Sequence, residues 1–146
     1  MAINKRVFSF CLITVAVAFS AIGKNAIAAS GGYSSSVVAP TIYAKNLWYN
    51  VPFPVVGTPV SGTYVGLVYY SWNYKTPRPT GFLVYLCNNT GLVCFDVTNY
   101  ASGFVDFTGQ NVPANQTLRL YSRVNGTGTM SSLYGGSSSV NVNWSN

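Results

Sequence analysis

The chain has 146 residues, is 49% hydrophobic but only 7% charged, and carries a formal net charge of +6 with no histidine at all. No histidine leaves neither an ordinary Ser/His nucleophile nor a histidine metal site, and with Asp96 and Asp106 as the only acids a paired-carboxylate hydrolase is a poor fit. Beyond Lys5, Arg6 and Lys24 near the start, the cations are Lys45, Lys75, Arg78, Arg119 and Arg123, too few and too scattered for a nucleic-acid footprint.

Residues 1–28 read as a secretory signal peptide. Lys5 and Arg6 form a basic n-region, residues 7–22 an apolar stretch, and Ala26-Ile27-Ala28 an A-x-A cleavage site. The apolar stretch is short for a bilayer, so a retained anchor is the weaker alternative. Export to the periplasm is expected, with cleavage after Ala28, no stable membrane anchor afterwards, and a single domain over residues 29–146. Cys11 leaves with the signal, so Cys87 and Cys94 remain as an even pair.

After residue 22 the periodicity is that of strands, with Gly, Pro and Asn punctuation between them. Residues 36–44 read as a strand. Residues 47–56 are extended, but Pro52 and Pro54 confine them to an edge or a loop. The run 62–74 places Tyr64, Val68, Tyr70, Trp72 and Tyr74 on one face and Val65, Leu67 and Tyr69 on the other, as in a central or partly covered strand. Residues 75–80, K-T-P-R-P-T, form a proline-stiffened connection.

Residues 82–98 specify a hairpin around the turn formers Asn88, Asn89, Thr90 and Gly91. Phe82, Val84 and Leu86 share one face, as do Val93, Phe95 and Val97, while Cys87 and Cys94 fall on the other beside Asp96. In an exported protein this pair reads as a disulfide on the outer face, the alternative being free thiols. It would clamp the hairpin register. Further strands follow at 103–108, with Val105 and Phe107 inward, at 117–124, with Leu118, Leu120 and Val124 inward, and at 139–144, with Val140, Val142 and Trp144 inward. Residues 126–138, rich in Gly and Ser, read as a long flexible loop. The expected fold is all-β, a small antiparallel Ig-like β-sandwich of about seven strands with one disulfide-stapled hairpin.

No catalytic, cofactor or metal residue stands out, and the chain is not expected to be an enzyme. Trp48, Tyr49, Tyr69, Tyr70, Trp72 and Tyr74 offer a platform for a partner's apolar side chains or for sugar rings, although most should be core. Trp48, Tyr49 and Tyr69 are the expected exposed members. Lys75 and Arg78 beside their prolines read by default as solvated surface, with an interaction tip for a partner the alternative.

The ordered set Trp72-x-Tyr74, Pro79-Thr80-Gly81-Phe82, Val84-x-Leu86-Cys87, Cys94, Gly103, Phe107-x-Gly109, Leu118-Arg119 and Ser139-Val140-x-Val142-Asn143 resembles the flagellar protein FlhE family. That resemblance implies a small, non-enzymatic periplasmic accessory protein of flagellar biogenesis. Members are implicated in limiting proton leak through the flagellar export apparatus, and a chaperone-like role toward exported flagellar proteins is also proposed. The implied partner is a protein, an export or structural component of the flagellum, with no cofactor and no nucleic acid. Two alternatives remain open on composition: a fimbrial or surface-adhesin subunit that pairs by β-augmentation, and a small carbohydrate-binding module.

Overall fold

The computed structural model of the protein describes residues 28–146. The signal-peptide reading lies almost wholly outside that range. Eight strands are present: β1 (Ser30–Val38), β2 (Tyr49–Phe53), β3 (Tyr64–Ser71), β4 (Phe82–Asn88), β5 (Cys94–Asp96), β6 (Ser102–Asp106), β7 (Leu118–Val124) and β8 (Ser137–Ser145). They form two antiparallel four-stranded sheets, in the orders β1-β8-β3-β6 and β2-β7-β4-β5. Inward-facing Val65, Val68, Val140 and Val142 of the first sheet and Phe53, Val84, Leu86, Leu118, Leu120 and Val124 of the second are all buried in one core. Such two-sheet packing is what period-2 alternation with one apolar face demands.

The chain changes sheet at every connection but one, β4 to β5. The stapled hairpin is therefore the one pair of consecutive strands that also pair in space; every other ladder joins distant segments. Its disulfide is formed as expected, between Cys87 and Cys94, which are direct cross-strand partners. The Asn88 amide donates to the Val93 carbonyl at 2.9 Å, so the preceding pair, Cys87 and Cys94, is of the non-hydrogen-bonded kind that brings strands closest. The Asn88 side chain organises the turn, its Oδ1 accepting from the Leu92 and Val93 amides and from the Thr90 hydroxyl.

The strand at 117–124 and its inward set are as expected, as is the edge position of proline-bearing β2. β8 extends to both sides of 139–144, with Val140 and Val142 buried and Trp144 half-buried. Three expectations need correction. The first strand is not residues 36–44 but β1, six residues earlier. Its Ser- and Gly-rich sequence carries little apolar signal, and its place comes from a nine-residue ladder with β8, under which Gly31 passes so close to Trp144 that a Cβ would lie 2.4 Å from the indole.

Secondly, residues 62–74 do not keep one phase. A bulge between Val65 and Val68 turns Val65 inward (1% exposed) and Tyr64 outward (45% exposed), the reverse of strict alternation, because a bulge inserts one residue on one strand only. The outward face still carries Tyr64, Leu67 and Tyr69, and β3 is a central strand as expected. Thirdly, residues 126–138 are fastened rather than free. Leu133 is buried and exchanges both backbone hydrogen bonds with Ile42, Lys75 donates to Tyr134, and Gly136 bridges Ala39 and Asn73. At Gly135 a Cβ would sit 2.1 Å from the Ala39 carbonyl oxygen, so this Gly-Gly pair allows a close backbone approach.

Candidate functional site

The outer face of the second sheet is built by the residues that alternate out of its core. β4 contributes Leu83, Tyr85 and Cys87, and β7 contributes Arg119, Tyr121 and Arg123, in a register that sets Tyr85 opposite Tyr121 and Cys87 opposite Arg119. Trp48, immediately before β2, folds over this row. Its ring meets Tyr85 edge-on at 5.4 Å between centroids and Tyr121 at 6.3 Å, the tilted geometry that aromatic quadrupoles favour. Together with the disulfide, Thr90 and Gly91 these rings line an open cleft of about 500 Å³.

Two arginines frame the cleft. The Arg123 guanidinium lies 5.5 Å from the Trp48 ring centroid, a cation–π distance, and its Nε is buried without a hydrogen-bond partner. Arg119 is held by donating from Nη1 to Asn50 Oδ1 at 2.8 Å and from Nε to Asn89 Oδ1 at 3.1 Å. Asn89 belongs to the hairpin turn, so the disulfide that fixes the turn also helps to fix this rim. The cleft is thus lined by three aromatic rings and the disulfide, with Arg119 and Arg123 beside them on the same sheet face. That combination suits an apolar or aromatic side chain flanked by acceptors.

The other sequence-derived candidates lie elsewhere. Tyr49 is half-buried against the core, and its hydroxyl accepts from the Ala44 amide at 3.1 Å; it supports the segment before Trp48 rather than offering a ring. Tyr69 is 48% exposed and pairs with Phe104 at 6.1 Å on the outer face of the first sheet, the opposite side of the sandwich from Trp48. Lys75 and Arg78 line a separate cleft with Lys45. Tyr70, Trp72 and Tyr74 are core. The Trp48 cleft therefore unites one expected residue with two, Tyr85 and Tyr121, that sequence reasoning did not single out. Their signal was present, since Tyr121 alternates with Arg119 and Arg123 and Tyr85 with Cys87, but only the β4–β7 register makes them one surface.

The few titratable groups that depart from ordinary behaviour are structural. Burial pushes the Tyr74 hydroxyl up to about 12, partly opposed by its hydrogen bond to Ser122. The Thr108 side chain and amide hold the Asp106 carboxyl below its usual range. Among the described residues no cluster of three or more His, Cys, Asp or Glu is placed to hold a metal ion, and no helix is long and apolar enough to cross a membrane.

The sequence pattern of the flagellar protein FlhE family matches residues 50–145. Among solved structures, the crystal structure of FlhE is similar to this chain at a TM-score of 0.66 and 27% sequence identity, over 79% of this chain and 96% of that one. No curated protein sequence matches. The matched span holds both sheets' central strands, the stapled hairpin, and Tyr85 and Tyr121 of the cleft; Trp48 lies two residues before it.

Proposed function

The chain belongs to the flagellar protein FlhE family, and from that premise we propose that it is a non-enzymatic periplasmic accessory protein of flagellar biogenesis that works by binding a protein partner. Family membership supports the flagellar assignment, and the signal-like residues 1–28 support the compartment. The observation that carries the binding mode is the Trp48 cleft: an exposed tryptophan, 44% accessible, braced by two tyrosines and rimmed by arginines. Trp, Tyr and Arg are the residues that dominate protein interfaces. The partner is a component of the flagellar export apparatus or of the structure it exports, and the outcome is to limit proton leak through that apparatus.

A second reading, transient holding of exported flagellar proteins, is favoured by the cleft's openness and apolar walls, which accept varied side chains. Family membership favours both over a fimbrial subunit or a sugar-binding module. Deleting the gene and following swimming and cytoplasmic pH at acid external pH tests the proposal. Impaired swimming with an acidified cytoplasm is expected. Normal behaviour in both measurements would overturn the leak-limiting role.

A further inference from the structure

A second cleft, of about 510 Å³, opens between the proline-stiffened connection that carries Lys75 and Arg78 and the strip of residues 129–132, with Lys45 at one end. Three of the five cations beyond residue 28 therefore face one space. Neither acid lines it: Asp96 of β5 accepts from the Thr98 amide and Asp106 of β6 from the Thr108 amide. Like charges gathered without a counter-charge raise the local potential and attract anions.

Two of the cations are held in place. The Arg78 guanidinium lies 4.4 Å from the centroid of the buried Trp72 ring, a cation–π distance, and a guanidinium suits a carboxylate fork. Lys45 donates from Nζ to the Thr127 carbonyl at 2.7 Å.

The strip itself is unusual in its backbone. Gly126 is tied to the Asn46 side chain through both its amide and its carbonyl, and Leu133 is tied to Ile42. Between those anchors, and among the described residues, the backbone groups of residues 129–132 pair with no other protein group. A segment with fixed ends and unused backbone donors and acceptors can pair its main chain with that of a second chain. Met130, Pro77 and Pro79 add apolar wall. A free phosphate would use the cations alone; the unpaired strip and the apolar wall suit a peptide.

We propose that this cleft binds an extended acidic segment of a protein partner, whose main chain pairs with residues 129–132 while its carboxylates meet Lys75, Arg78 and Lys45. The site is separate from the Trp48 cleft.

The test is titration of the purified, isotope-labelled protein with a fluorescent octapeptide of alternating Glu and Ser. The comparators are the same peptide with Gln for Glu, and inorganic phosphate. The Glu peptide should bind and shift the amide signals of Thr129, Ser131 and Ser132. The Gln peptide should bind at least about tenfold more weakly, and affinity should fall as salt rises. The double variant Lys75→Gln/Arg78→Gln should lose at least about tenfold, with its urea midpoint checked beside the parent's to show that it folds.

Equal binding of the Gln peptide would overturn the proposal, as would undiminished binding of the Glu peptide by the double variant. So would phosphate matching the peptide without moving the amides of residues 129–132, which would mark a free-anion site. The assay contains no flagellar component, so its failure leaves the flagellar reading standing, and a normal deletion phenotype leaves this site standing.

Discussion

Trp72, Tyr74 and Phe82 form one aromatic cluster and Trp48, Tyr85 and Tyr121 another, with similar ring distances and tilts in both. The first lies between the sheets. Trp72 is 3% exposed and donates from Nε1 to the Val97 carbonyl at 3.0 Å, while the Tyr74 hydroxyl donates to Pro40 at 2.9 Å and pairs with Ser122 at 2.6 Å. Each polar tip finds a partner, as burial requires. The second cluster lies on the outer face around a half-exposed tryptophan. Residue type does not separate the two; strand phase does. Tyr85 and Tyr121 occupy outward positions of β4 and β7, whereas Phe82 occupies an inward one. The inner cluster is fold and the outer one is exposed surface, which we propose a partner covers.

The largest expected effect falls on the inner cluster. Trp72→Ala should cost about 3–5 kcal/mol in urea unfolding, through lost transfer energy and a cavity, and a loss below about 1 kcal/mol would break the distinction. Next comes the hairpin that underlies the outer cleft. Replacing Cys87 and Cys94 together by Ser should cost about 2–3 kcal/mol by freeing the unfolded chain, and should also loosen Asn89 and with it Arg119.

The Tyr74 hydroxyl makes the inner cluster sensitive to alkali. Its folded pKa of about 12 lies above the unfolded value of about 10, so its contribution is fully present below pH 10 and is lost as pH rises toward 12. Urea midpoints measured from pH 8 to 11 should fall above pH 10, and less steeply in Tyr74→Phe. The smallest effect on stability belongs to Trp48→Ala, within about 0.5–1 kcal/mol of the parent.

Much of this organisation was legible in the sequence. Alternation in 117–124 and 139–144 marked β7 and β8 because every second residue is a large aliphatic or a polar one. Cys87 and Cys94 identified the hairpin, and Pro52 and Pro54 an edge strand. With the other short strands these make a count of about seven, which suits a sandwich. What escaped depended on contacts between distant segments. β1 has almost no apolar content and exists by pairing with β8. The bulge at Val65–Val68 shifts the phase, and Gly66 within it is its one mark in the sequence. Gly135 and Gly136 suggest mobility, yet the neighbouring Ala39 and Asn73 explain them as close approach. The site was half legible for the same reason: exposed Trp48 was apparent, but Tyr85 and Tyr121 become its neighbours only through cross-strand register.

The most direct test of the division between fold and partner surface is complementation of a gene deletion with Trp48→Ala, reading cytoplasmic pH at acid external pH while checking that the variant reaches the periplasm at the parent's level and unfolds at the parent's urea midpoint. The expected result is a folded, exported protein that leaves the cytoplasm as acid as in the deletion strain. Full restoration of cytoplasmic pH by Trp48→Ala would contradict the account.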